Sequence, residues 1–184
     1  MAEPQVSVLL RKGGHTSTVS NNTTHIRYAL LCDNFSVQIA KTPIQIPIPQ
    51  KSPELVDLGI FRPSLSINGI VPTVGGGTST VAGYEGMETF AYSRVISGSS
   101  VTASYYFPYK NKLEEAAYTW IAASVNELEL EIGDATTPTG TDHTGGGVYK
   151  VAIQQARFQV DASREDRWTF AMQFVCKSRD GVSF

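Results

Sequence analysis

The last part of the chain constrains the fold most strongly, because its apolar and polar residues alternate almost without interruption. From residue 168 onward one parity is apolar or aromatic: Trp168, Phe170, Met172, Phe174 and Cys176. Successive side chains of a strand point to opposite faces, so this segment buries one face and exposes the other. Residues 148–160 form a second extended run, and residues 161–166 supply a polar turn. The pattern predicts a β-hairpin with arms of roughly 10 residues, or about 33 Å, longer than most strands.

The rest of the chain has the same strand-rich character. Short alternating or apolar runs occur at residues 6–10, 26–31, 35–40, 64–68, 87–96, 101–107 and 127–132. Turn residues predict hairpins at 32–34 and after Asn68-Gly69. Three polar or glycine-rich stretches predict long mobile loops, at about residues 11–24, 73–86 and 133–147. We expect one mainly β domain over residues 1–184, a β-sandwich or small barrel of eight to nine antiparallel strands with long loops.

One segment has helical rather than strand periodicity. Its apolar residues recur at the spacing of a single helix face: Leu113, Ala117, Trp120 and Ile121. This spacing predicts one flanking amphipathic helix over residues 112–123 that packs its Trp120 face on a sheet. Asn111, followed three residues later by Glu114, resembles a capping box at the start of this helix.

Composition and charge exclude several classes of function. The chain is 41% hydrophobic with a net charge of −2, so it has enough apolar residues for a core and no strong field to recruit nucleic acid. We therefore do not expect DNA binding as a primary function, although nucleic acid could pass close to such a surface without being bound. No apolar run is long enough to span a membrane, and the first residues lack the pattern of a secretory signal. Cys32 and Cys176 lie in apolar strand patterns, which indicates buried, reduced thiols.

Residues 41–54 combine strand alternation with prolines. Ile44, Ile46 and Ile48 keep the alternation, while the prolines between them remove hydrogen-bond donors. Because proline is confined to sheet edges, strand starts and bulges, we expect an extended arm along a sheet edge or a neighbouring subunit. An ordinary extended linker is the alternative.

Three glutamates alternate with apolar residues in one predicted strand. Glu127, Glu129 and Glu131 share one face, about 7 Å apart by strand rise. One interpretation is a solvated outer face. The other is an acidic surface that repels a polyanion such as DNA.

Clustered aromatic residues, Tyr105, Tyr106 and Tyr109, precede the helix. Such a cluster can stack on sugar rings or bases. It can equally anchor the strand-to-helix corner in the core or lie at a subunit interface.

Patterns of catalytic or metal-binding residues are not evident. The histidines His15, His25 and His143 lack the spacing of a zinc site, and the glycine triplets lack the lysine of a phosphate-binding loop. No serine lies in a nucleophile elbow. We therefore expect no enzymatic activity, no cofactor and no metal.

Three segments, residues 57–70, 112–123 and 149–177, together resemble the tail-tube-like proteins of bacteriophages in pattern and element order. The resemblance implies a structural virion protein that forms a ring, usually a hexamer, of a tail tube or of its baseplate-proximal hub. It implies a β-lined channel for DNA, with the terminal hairpin in the wall and the acidic strand facing the lumen. Adjacent tube, sheath or baseplate proteins would be partners, with assembly in the host cytoplasm and no membrane contact.

Two other functions stay open from the sequence. A carbohydrate-binding β-sandwich, of the lectin-like or fibre-tip kind, would use the three clustered tyrosines as its stacking platform. A hydrolase with its active site assembled from the loops is the third interpretation.

Overall fold

Strands make up most of the described chain. The computed structural model describes residues 6–12, 26–40, 44–46, 54–56, 63–96, 99–122, 128–134, 147–161, 163–179 and 182–183. The elements in chain order are β1 (Val6–Lys12), β2 (Ile26–Gln38), β3 (Ile44–Ile46), β4 (Glu54–Val56), β5 (Ser64–Pro72), β6 (Glu88–Ile96), β7 (Ser99–Phe107), α1 (Lys110–Ala122), β8 (Leu128–Asp134), β9 (Gly147–Asp161), β10 (Arg164–Arg179) and β11 (Val182–Ser183).

Six antiparallel strands close into a barrel in the order β1-β8-β9-β10-β5-β2, because β1 pairs with both β8 and β2. The mainly β class with one helix is confirmed, and of the two predicted architectures the barrel is correct rather than the sandwich. Two further strands extend the sheet: β7 pairs with β2, and β6 pairs with β7. The β2–β7 pairing is parallel, at Tyr28 and Tyr106, which differs from the expected purely antiparallel order.

The terminal hairpin has the predicted form. Its arms, β9 and β10, are 15 and 16 residues long. The predicted parity of β10 faces the barrel interior, where Phe170, Met172 and Phe174 are buried. Register shifts between the two arms bend them around the barrel. The turn is shorter than predicted, since Arg164 already pairs with Asp161.

Both predicted turns at polar residues are wrong. Residues 32–34 lie inside the continuous strand β2, which has a register shift between Cys32 and Asn34 opposite β5. This β-bulge moves Phe35 onto the inner face of the barrel. Strand β5 likewise continues through Gly69. A Cβ there would lie 2.0 Å from the carbonyl oxygen of Leu31, so glycine serves a close approach of two backbones rather than a turn.

The helix is α1, and its buried side adds to the main core. Leu113, Ala117 and Trp120 are buried as predicted, and the Trp120 ring lies 6.3 Å from that of Tyr28. Ile121, by contrast, is 47% exposed, so its assignment to the buried face is wrong.

The predicted capping box at the start of the helix is also wrong. The helix begins at Lys110, which places Asn111 within its first turn. The backbone N–H of Leu113 donates to the carbonyl of Tyr109 at 3.0 Å, so the helical hydrogen bonds start two residues earlier than the sequence indicates.

Residues 73–86 pack against the barrel rather than extending from it as a loose tip. Backbone hydrogen bonds cross this segment, including Gly77 N–H to Gly86 O at 3.0 Å. The buried Tyr84 ring stacks on Tyr106 with 4.1 Å between centroids, and its hydroxyl accepts a hydrogen bond from the Arg27 N–H at 3.1 Å. The other two predicted loops lie mostly outside the described residues.

The core has two parts. The larger fills the barrel and extends to α1 and to Tyr84. The smaller lies on the outer surface of β1 and β2, where the β6–β7 hairpin covers it. We call it the outer core, and its members are Leu9, Ala29, Ala103 and Tyr105, with Phe90 and Phe107 packed against them.

Candidate functional site

The predicted acidic stripe does not form an exposed row in the structure. Glu127 lies outside the described residues. Glu129 is half-buried, and Glu131 is fully buried. The Arg11 Nε donates to Glu129 Oε2 at 2.6 Å, and its Nη1 contacts Glu131 Oε2. The expectation that these glutamates all point into solvent is therefore wrong for Glu131, because the outer core covers it. A role of the stripe in a channel stays a prediction.

Arg11 is the centre of this buried charge network. Its side chain is 2% exposed, and its Nη1 also donates to the Tyr105 hydroxyl at 3.2 Å. Burial works to lower the pKa of Arg11, but Tyr105, Glu131 and Glu129 outweigh it, and the pKa is raised above its ordinary value. The guanidinium therefore stays charged and ties β7 to β1 and β8.

The register of the strands explains how the network forms. Arg11 lies directly opposite Glu129, and Leu9 opposite Glu131, in the β1–β8 pairing. Side chains directly opposite each other on one face are near neighbours, and diagonal ones remain within reach of an arginine. The sequence analysis missed Arg11. Its position was a signal, because it follows the apolar Leu9 by two residues and therefore lies on the same face of the strand.

The clustered tyrosines do not form an exposed platform. Tyr105 and Tyr106 lie on opposite faces of β7, where Tyr105 is buried in the outer core and Tyr106 in the barrel core. Tyr109 is half-buried against the barrel core. Two of the three rings are thus inaccessible to a sugar or base. An inter-subunit role for the cluster stays a prediction.

The proline-rich arm pairs with a segment close to it in the chain. Strand β3, with Ile44 and Ile46, forms a two-stranded antiparallel sheet with β4, separate from the barrel sheet. Ile48 lies outside the described residues. Contact of the arm with a neighbouring subunit stays a prediction.

Both cysteines are unpaired, as expected. Burial, with a smaller contribution from Asp33, raises the pKa of Cys32 to about 12, and burial also raises that of Cys176. Within the described ranges, no three metal-ligating side chains come together. The three histidines lie outside those ranges. No helix in the described part is long and apolar enough to cross a membrane.

The sequence analysis also missed a surface formed by four neighbouring strands, β2, β5, β10 and β9. Each strand contributes three outward side chains, and together with Asp33 in the β2 bulge we call this surface the neutral face. The apolar Ile70 and Val175, opposite Thr169 and Ser64, lie at its two ends. Its members are Asp33, Asn34, Ser36, Gln38, Ser64, Ser66, Asn68, Gln155, Arg157, Gln159, Thr169, Ala171 and Gln173.

Two rows run straight across the neutral face. One row is Ser36, Ser66, Gln173 and Gln155. The other is Asn34, Asn68, Ala171 and Arg157. The hydroxyls of Ser36 and Ser66 share a hydrogen bond of 2.8 Å. The two charged members, Asp33 and Arg157, have opposite signs, so the face has no net charge.

Two shallow hollows indent the neutral face. One, of about 230 Å³, lies between Asp33 and Arg157 over Asn68. The other, of about 170 Å³, lies over Ser66 and Gln173. Their linings offer amides, hydroxyls and the one ion of each sign, which can hold water and exchange hydrogen bonds.

The solved structures that are similar to this chain include two from tails. No family model and no curated protein matches the chain. The SPP1 tail tube is 11% identical over 95% of this chain and 74% of that chain, with a TM-score of 0.44. The tail of an empty GTA particle, computed with C6 symmetry, is 11% identical over 93% of this chain and 91% of that chain, with a TM-score of 0.37. Both are tail structures, the class that the sequence resembles. At this identity and these TM-scores, neither similarity assigns a role to a residue.

Proposed function

We propose that this chain is a structural subunit without catalytic activity, which forms a ring of a phage tail tube or of its baseplate-proximal hub. The rings, hexameric in this proposal, build a channel for DNA, and the β9–β10 hairpin contributes to the channel wall. The protein would work in the virion tail after assembly in the host cytoplasm, with tube, sheath or baseplate proteins as partners.

The observation that carries this proposal is that the terminal hairpin is longer than the core it covers. At ~3.3 Å per residue its arms span roughly 50 Å. Towards the tip, inward-facing apolar residues are no longer enclosed: Phe158 and Trp168 are half-buried and Val160 is 44% exposed. An apolar strand end that the described part of the chain leaves open gains stability when a neighbouring subunit covers it.

Light scattering after gel filtration, with negative-stain images of the same peak, tests the proposal. We expect rings or short tubes far heavier than the 20.0 kDa chain. A protein that stays at the monomer mass at every concentration, with no particles in the images, contradicts a ring-forming subunit.

Matched variants locate the contact. Val160→Lys places a charge at the open apolar end and is expected to shift the peak towards the monomer. Gln159→Lys adds the same charge one residue away, where the side chain faces the opposite side of the strand, and is expected to leave assembly intact. Equal effects of the two variants would mean that added charge, rather than contact at the hairpin tip, controls assembly.

A further inference from the structure

The neutral face is a broad, mostly exposed surface whose two charged members have opposite signs. Two of its 13 members are charged, Asp33 and Arg157, which is close to the 17% of charged residues in the whole chain. The chain does place charges on other exposed surfaces, as at Glu114 and Glu115 on α1. Arg167, two residues before Thr169 on the same side of β10, is exposed, and so is Lys177 on this strand. The absence of net charge is therefore confined to the residues of the neutral face.

The side chains of the neutral face argue against an adhesive role. Protein–protein interfaces rely on large aromatic or arginine anchors, and this face has only Arg157 of that kind. Nucleic-acid binding requires several cations that neutralise phosphates. Sugar binding and single-strand binding require exposed aromatic rings, and the neutral face contains none.

What these side chains do offer is a dense array of hydrogen-bonding groups that hold water. Amides and hydroxyls at neighbouring positions, as at Ser66, Gln173 and Gln155, exchange hydrogen bonds with water at little cost. A polyanion beside such a surface meets neither cations that retain it nor a row of carboxylates that repels it.

We propose that the neutral face lines the channel and is a hydrated, non-adhesive surface past which duplex DNA moves. This inference rests on the proposed function and deepens it. It assigns the lumen to the outward side of β2, β5, β10 and β9, in place of the acidic stripe on β8. The passage of DNA then depends on the absence of attraction between DNA and the neutral face, rather than on electrostatic repulsion between them.

Thiol labelling of assembled full-length protein tests where the face lies. Gln173→Cys places a thiol in the middle of the neutral face, and Thr119→Cys on the exposed side of α1 controls for labelling efficiency. The unsubstituted protein, with buried Cys176 and half-buried Cys32, gives the background. We expect Cys at 173 to react with N-ethylmaleimide in assemblies, and monomaleimide gold on it to appear inside the channel.

Three results would overturn the assignment. Gold on the outer wall would place the face outside. Protection of position 173 from N-ethylmaleimide in assemblies, with reactivity in dissociated subunits, would mean that a second copy covers the face. Failure of the unsubstituted chain to form any ring or tube would remove the proposed function together with this inference. Ser66→Cys repeats the test if Gln173→Cys does not fold.

A charge series tests whether neutrality matters. Ser66→Lys, Gln155→Lys and Gln173→Lys together put three cations in one row of the face. Assemblies of this variant should retain at least about tenfold more labelled duplex DNA than the unsubstituted protein, with steep salt dependence and protection from nuclease. Unsubstituted assemblies that already retain DNA in a salt-dependent way would overturn the non-adhesive surface.

The matched control carries the same added charge elsewhere. Asn111→Lys, Thr119→Lys and Ala122→Lys lie on the exposed side of α1. DNA retained by this variant should remain sensitive to nuclease. Equal nuclease protection in the two lysine variants would refute a special role for the neutral face.

Discussion

Replacing Arg11 with methionine should be among the most destabilising single changes outside the barrel core. The guanidinium contacts Glu129, Glu131 and the Tyr105 hydroxyl, and these contacts join three strands. Methionine retains much of the side-chain volume and removes the charge. The β6–β7 hairpin, whose described pairing with the barrel is a single register position on β2, is then held by the outer core and by Tyr106 in the barrel core.

The magnitude follows from burial. Glu131 is 0% exposed, so removing the cation in front of it leaves a buried carboxylate without that counterion. Breaking a buried ion pair in this way costs about 3–5 kcal/mol. Glu129 keeps 23% side-chain exposure and can turn towards water, so it adds little. For a domain of this size the loss corresponds to a decrease in Tm of about 6–20 °C.

Urea unfolding followed by tryptophan fluorescence measures this effect, with Arg157→Met as the control. Arg157 is exposed, and its replacement should change stability by no more than about 0.5 kcal/mol. The double variant Arg11→Met/Glu131→Leu removes both buried charges and should recover most of the loss. A cost below about 1 kcal/mol for Arg11→Met, or a double variant as unstable as the sum of the singles, would refute the buried network.

Three further changes test other parts of the structure. Gly69→Ala should destabilise the chain by about 2 kcal/mol or more, because its Cβ meets the Leu31 carbonyl, whereas Gly76→Ala has open space and should be near neutral in the same urea assay. Tyr84→Phe should cost about 1–3 kcal/mol by leaving the Arg27 N–H without its acceptor, and Tyr118→Phe, at an exposed ring, almost nothing. Cys32, with its pKa raised to about 12, should react slowly with a disulfide reagent at pH 8 in the folded protein and rapidly in urea; rapid reaction in the folded state would contradict its burial.

The elements that could be predicted from the sequence are those in which the spacing of apolar residues depends only on the backbone geometry of the element itself. The inner parity of β10 and the Trp120 face of α1 follow from periods of two and 3.6 residues, which no partner has to supply. The long strand pair β6–β7 was predictable for the same reason. Element boundaries and the closure of the barrel depend on which strands pair, and this information is not local.

The two wrong turns show how a partner strand decides what polar residues do. Residues 32–34 and the pair Asn68-Gly69 have turn chemistry, yet both lie within strands that face each other. Asp33 occupies the bulge, and Gly69 allows the β2 backbone to approach β5. A local signal for a break is equally a signal for irregular pairing, and only the neighbouring strand distinguishes the two.

The glutamates on β8 were misinterpreted for a related reason. Alternation assigns a residue to a face of the sheet, but it does not say what covers that face. The sequence contained one indication, since β1 and β2 each have apolar residues at three consecutive positions, 8–10 and 28–30, which is typical of strands covered on both sides. Strand β8 pairs with β1, so it is then expected to have a partly covered outer face as well.

The distribution of charge follows from this two-sided burial. Where β6 and β7 cover the barrel, Glu129 and Glu131 both form ion pairs with Arg11, which also contacts Tyr105 of β7. These carboxylates therefore help to hold β7 on the barrel. On the opposite strands nothing in the described chain covers the sheet, and there most outward residues of the neutral face are serine, asparagine, glutamine and threonine, with Asp33 and Arg157 as its two charges. A protein that needed repulsion along this surface would carry its carboxylates there. The carboxylates lie instead where β6 and β7 cover the barrel, and the neutral face has no net charge. For these two reasons we expect DNA to pass this chain over a hydrated surface that neither holds nor repels it.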